Sequence, residues 1–234
     1  MPTLTSMGNR ITRPVAIFSM CAAVVVMTPA LTVTASAAPG HTAASGLPSA
    51  SYAAIEKTLV ASLPLDSGYE EAAWRKAFRV SCRHLNARVP LLDAYRPVCL
   101  DSATVYDLEA AVEACGESLP ARNGATQVLR RCEWRAEDKM VDTDVQLIAA
   151  FRNLNKILVR DHLSQPCQAS IGGTSAVIGY YTQIVPVLRL MAKGFLTDAP
   201  QKTAAAYHRE QQLWKKYRLA TNREQLSQFR RGCA

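Results

Sequence analysis

Six cysteines, Cys82, Cys99, Cys115, Cys132, Cys167 and Cys233, constrain this chain more than any other feature. A seventh, Cys21, lies in a segment expected to be removed. An even set of thiols in an exported chain pairs and stays paired, because the compartment is oxidising. The other use of such a set is zinc, whose ligands come grouped at short spacing. No two of these cysteines form a CxxC and no histidine cluster lies beside them, so no metal and no cofactor are expected. The first four recur at about seventeen residues, but the stretches between them are dissimilar, so the spacing measures helix length rather than a repeat.

Export is read from the opening segment, where three features stand in the required order. Arg10 and Arg13 supply a basic start, Val15 to Met27 is an apolar run broken only by Ser19, and Ala35-Ser36-Ala37 offers small residues at a cleavable site. A signal peptide is expected over residues 1–37, a flexible linker over 38–48 and a single helical domain over 49–234. The expected location is secreted or extracellular. The alternative is an uncleaved membrane anchor, because no charged residue falls between Arg13 and Glu56; against it, the apolar core is short and ends at Pro29.

Apolar residues recur at helical spacing along the rest of the chain, with no run of strand-like alternation, so the expected fold is all-α: a disulfide-stapled bundle of about five to seven helices. A first stripe, Tyr52, Ile55, Leu59 and Leu63, ends at Pro64. A second helix opens with Ser67 and Glu70 in capping-box spacing, carries Trp74, Phe78, Cys82 and Leu85, and is expected to stop at Pro90. A third is capped by Asp101 or Ser102, with Val105, Leu108, Val112 and Cys115 inward and Gly116 as a left-handed cap. From Thr126 a stripe runs through Leu129, Cys132, Ala136, Met140, Leu147, Phe151, Leu154 and Leu158, with a restart at Thr143 and a kink near Val141 expected. Gly172 and Gly173 break the chain before Ala176 to Leu196, which reads as a central buried helix kinked at Pro186. It is no membrane span, since Gln183, Arg189 and Lys193 interrupt it. Tyr207, Leu213, Trp214, Tyr217 and Ala220 share one face of the last stretch, and a fresh helix after Thr221 aligns Leu226, Phe229 and Cys233.

These helices prune the disulfide pairings. Cys99 and Cys115 sit at opposite ends of one expected helix, about 24 Å apart, whereas a bridge tolerates under about 7 Å between alpha carbons. That pair is excluded. Neighbours across turns are favoured: Cys82 with Cys99, Cys115 with Cys132, and Cys167 with Cys233, each worth about 2 to 4 kcal/mol.

Catalysis would need a nucleophile, base or metal in a fixed arrangement, and no catalytic residue is assigned. His41 lies in the linker. A helical His84 just after Cys82 resembles the secreted phospholipase A2 family over three residues. The family's histidine is followed directly by an aspartate, where this chain has Leu85, and no glycine-rich calcium loop is present, so nothing is carried over. His162 follows Asp161, but neighbours in a helix point about 100° apart, so the two form no ready dyad. Its expected role is electrostatic, at a helix C-terminus, and His208 is read the same way. The carboxylate groups Glu70 with Glu71, Glu109 with Glu113, Glu133 with Glu137 and Asp138, and Asp142 with Asp144 are read as solvated helix faces. Gly172-Gly173-Thr174-Ser175 lacks the phosphate-loop pattern and reads as a hinge.

Charge is asymmetric. The chain holds 27 basic and 19 acidic residues, and loss of Arg10 and Arg13 leaves an excess of six. From Pro200 onward, Lys202, Arg209, Lys215, Lys216, Arg218, Arg223, Arg230 and Arg231 face only Glu210 and Glu224, which is the same excess. Lys202, Arg209, Lys215, Lys216 and Arg218, with Trp214 among them, are therefore the expected contacts to an anionic surface, either lipid or cell-wall polymer. Nucleic acid is not expected outside the cell, and no transmembrane span remains after signal cleavage. The competing reading of this stretch is a bundle helix with an aromatic stripe inward and a wet basic back.

The expected function is a binding or interaction module at or outside the cell envelope. The alternative is a small extracellular hydrolase using His84 or His162 as base, oriented by Asp161 or by a glutamate of a neighbouring helix. An enzyme of that kind needs one of these rings in a concave pocket, bonded to a carboxylate.

Overall fold

The computed structural model describes residues 47–64, 72–117, 125–172, 175–197, 199–217 and 221–234. The expected signal peptide, the Ser67 and Glu70 capping box and Arg218 lie outside these residues. The regular elements described are all helices: α1 (Ser49–Ser62), α2 (Ala72–Arg83), α3 (Pro90–Glu117), α4 (Ala125–Arg160), α5 (Gln165–Ile171), α6 (Ser175–Leu196), α7 (Pro200–Tyr217) and α8 (Asn222–Gly232). Six have twelve residues or more; α5 and α8 are the short ones.

Four long helices stand in a row, α3 against α4, α4 against α6 and α6 against α7. α1 and α2 cover α3, while α8 packs on α1 and α5. One apolar core runs through the whole assembly. Its centre is α4 and α6, where Leu147, Phe151, Leu154 and Leu158 meet Val177, Ile184, Leu188 and Met191, all buried. Full burial of such a side chain contributes about 1.5 to 3 kcal/mol. The ring of Phe151 stacks on that of Tyr181, with centroids 5.6 Å apart.

Three bridges tie these helices together: Cys82 with Cys99, Cys115 with Cys132, and Cys167 with Cys233, with alpha carbons 5.5, 5.8 and 4.6 Å apart. The first two tie α2 to α3 and α3 to α4. The third ties α5 to the chain's final residues, where α8 and α1 are also joined. There Leu47 N–H donates to the Cys233 carbonyl at 3.1 Å, Arg230 pairs with Glu56 at 2.6 Å, and the Tyr52 ring lies 4.7 Å from that of Phe229.

Several local expectations are corrected. Pro90 does not stop the second helix; α2 ends at Arg83, and Pro90 opens α3. Proline suits a first helical position because the N–H it lacks has no partner there. The turn between them is held by Asn86, whose side chain accepts from Arg88 N–H at 3.0 Å. Asp101 and Ser102 are not caps either, since α3 runs through Pro97 and the Ser102 hydroxyl donates to the Val98 carbonyl one turn back, at 2.7 Å. Gly116 lies inside α3 rather than past its end.

α4 continues without a break past Val141, and the Thr143 hydroxyl donates to the Lys139 carbonyl at 2.9 Å instead of capping a new helix. At its end His162 takes a left-handed backbone, with φ 53°. α5 was not expected. Ser164 caps it by accepting from Cys167 N–H, and Gly172, with φ 93°, supplies the left-handed exit that glycine adopts without strain. α8 opens on Thr221 and Glu224 in a full capping box, at the position where the apolar phase shifts in the sequence.

Candidate functional site

The histidines come first, because the hydrolase reading rests on them. His84 lies just past the end of α2 and His162 in the turn after α4, and both are exposed. The carboxylate next to His162 is engaged elsewhere: Asp161 pairs with Arg160 at 2.8 Å. Among the described residues neither ring bonds a carboxylate. His208 is likewise exposed on α7.

The carboxylates of α4 correct a second expectation. Glu137 and Asp144 do not lie on a solvated face; their residues are 0% and 3% exposed. They stand seven residues apart, hence on one side of α4, in phase with Met140, Leu147 and Phe151. Glu133, one turn before Glu137, is half-buried. Its carboxyl is raised above the usual 4.5 by burial first and then by the neighbouring Glu137, while Arg130 opposes the shift. On α6, the Tyr181 hydroxyl is pushed well above 10 by burial, and further by Asp144, Tyr180, Tyr106 and Glu109. Asp144 of α4 and Glu109 of α3 therefore both disfavour ionisation of the buried Tyr181. Glu109, Glu137 and Asp144 all have partners. Among the described residues no group of three or more His, Cys, Asp or Glu is arranged to hold a metal ion.

Sequence reading missed these buried acids, although a signal was present. The apolar stripe of α4 skips from Met140 to Leu147, and Asp144 fills the missing inward turn.

The third candidate is the outer face of the hairpin formed by α6 and α7. Among the described helices α7 packs on α6 alone, so it forms the edge of the row. Its inward side carries Ala206, Leu213, Trp214 and Tyr217. The rings of Trp214 and Tyr217 meet Tyr180 of α6 edge-on, at 6.1 and 6.0 Å between centroids, and Gln183 donates to the Tyr217 hydroxyl. Trp214 is thus partly buried against α6.

Lys202, Arg209, Lys215 and Lys216 are exposed. Lys202, Arg209 and Lys216 recur every seven residues and so share one stripe, about 21 Å long at the helical rise. No exposed carboxylate interrupts that stripe, since Glu210 is only partly exposed. Lys216 leans on its own helix end, 5.0 Å from the Tyr217 ring centre and 3.4 Å from the Gln183 side-chain oxygen. Lys202, Arg209 and Lys215 have no ion-pair partner among the described residues.

α6 adds to this charge. It contains Arg189 and Lys193 and no acid, and both cations are exposed. α8 does not extend the face, because it packs on α1 and α5, and its Arg230 is taken by Glu56. No described helix is long and apolar enough to cross a membrane. Comparison with known proteins finds no matching family model, no similar curated protein and no matching solved structure.

Proposed function

We propose that this chain is an exported, disulfide-braced helical module that binds an anionic surface through the outer face of α7. The observation that supports it is the arrangement of that helix: packed, among the described helices, on α6 alone, it leaves Lys202, Arg209, Lys215 and Lys216 exposed with no exposed carboxylate between them. Cations lined up without a carboxylate partner among the described residues attract polyanions over roughly a Debye length, about 10 Å at 0.1 M salt. Lipid phosphates and wall-polymer phosphates or carboxylates offer the same chemistry. Export is supported by the pairing of all six cysteines outside the leading segment.

The test is co-sedimentation of the mature protein with anionic vesicles and with cell-wall fragments, at rising salt. Binding is expected to weaken steadily as salt rises, and to be lost in the triple variant Lys202→Glu, Arg209→Glu, Lys215→Glu. Binding that ignores salt, or survives the charge reversal, overturns the reading. Export is checked by the intact mass of material from the medium, which should begin near Ala38 and be lighter than the reduced chain by two hydrogens per bridge.

A further inference from the structure

The end of the hairpin where α6 passes into α7 carries more than charge. Over the last two turns of α6 the exposed positions are Arg189, Leu190, Lys193 and Leu196, the exposed Thr197 comes next, and Lys202 follows in the first turn of α7. Leu190 is 59% exposed and Leu196 52%, and every other large exposed hydrophobic residue described is a valine on α1, α2 or α4. Arg189 to Leu196 spans about 10 Å of helix, with the two leucines six positions apart and Lys193 between them. The described acid of the hairpin, Glu210, is partly exposed and lies well along α7.

An isolated leucine at a surface is ordinary, but two flanked by three cations that have no ion-pair partner among the described residues are not explained by packing. Leucine gains nothing against a hydrated polymer, whereas at the boundary between headgroups and acyl chains it leaves water while adjacent cations stay at phosphate level. Resting on the anionic-surface reading above, we infer that the partner is a lipid bilayer with anionic headgroups. The module docks by the tip of the α6 and α7 hairpin, with Leu190 and Leu196 entering the interface and Arg189, Lys193 and Lys202 holding the phosphates. The rest of α7 supplies longer-range attraction. Charge complementarity selects an anionic leaflet, and the leucines select a bilayer over a soluble or wall polyanion.

The experiment uses the full mature protein and three partners: vesicles of phosphatidylcholine with phosphatidylglycerol, vesicles of phosphatidylcholine alone, and cell-wall fragments. Three proteins are compared: wild type, Leu190→Ser with Leu196→Ser, and the α7 charge reversal. Both leucines are exposed, so the serine pair should fold with unchanged helix content and an unchanged melting temperature. The expected result is anionic-vesicle partitioning weakened about tenfold for each leucine replaced. A fraction of wild-type binding should also persist at high salt, and the serine pair should lack it. If the serine pair binds anionic vesicles as tightly as wild type, or if wall fragments bind better than vesicles and are insensitive to the serine changes, the bilayer inference falls while the anionic-surface reading stands. Loss of no binding on charge reversal sinks both.

Discussion

Glu133 illustrates how a single residue in this protein answers to its neighbours. Its carboxyl is raised by burial and by Glu137, so the fold favours the protonated form. The sign follows directly: its contribution to stability is complete below the unfolded value of 4.5 and is lost as pH rises through the raised folded value. At neutral pH the charged group is a cost, and glutamine, which mimics the protonated acid, removes it. Glu133→Gln is expected to melt higher than wild type at pH 7, with the difference closing as pH falls below about 4.5. Thermal unfolding at both pH values checks this, and an equal difference throughout would mean that charge is not the cause. Asp101 shifts in the same direction from burial, and Tyr95 is pushed up to about 12 by its own burial, opposed only by its hydrogen bond with Thr58. These residues could not be singled out from sequence, because an acid on an amphipathic helix reads as solvated until the facing helix is known. Asn222 is of the same kind. It looks like an ordinary residue at a helix start, yet it is buried, donating to the Ser62 carbonyl at 3.1 Å and to the Tyr106 hydroxyl at 3.2 Å.

Among the elements, α3 departs furthest from its local sequence. Pro97 inside it removes one backbone donor and crowds the preceding turn, which ordinarily ends or kinks a helix at a cost of about 3 kcal/mol or more. The helix persists because Leu91, Leu92, Tyr95, Val98, Cys99 and Ser102 are buried on both sides of the proline, and Cys99 is bridged to α2 just after it. Pro97 itself is exposed, so a replacement there meets no packed neighbour. Pro97→Ala is expected to stabilise the protein by about 1 to 3 kcal/mol, read by urea denaturation. A neutral or destabilising result would show that the proline shapes a bend the packing requires. The same competition explains why α4 runs on past Thr143: a capping residue is outweighed by a core stripe that continues through Leu147, Phe151 and Leu154. Where no packing opposes the local signal, as at Thr221 and Glu224, the sequence cue and the helix start coincide.

Over the whole molecule, the three bridges differ in the length of chain they close. Cys167 and Cys233 are 66 residues apart, against 17 for each of the others. On chain entropy the long loop is worth about 4 kcal/mol and each short one about 3. The long bridge also sits where Leu47, α1, α5 and α8 meet. Replacing Cys167 and Cys233 with alanine is expected to lower the urea midpoint more than either other pair of replacements does. A smaller loss there would assign the joining of the chain's ends to the packing of α1 and α8 rather than to the bridge. The helical class, the approximate place of most helices and the favoured cysteine pairing were legible in advance. Each depends on periodicity or on distances measured along a helix, and both are properties of the chain itself. Which leucines would remain in water and which way Trp214 would turn were settled only by assembly. An amphipathic helix announces that it has an inner side, but the width of that side is decided by how many neighbours arrive to cover it, and among the described helices α7 received one while α4 received three.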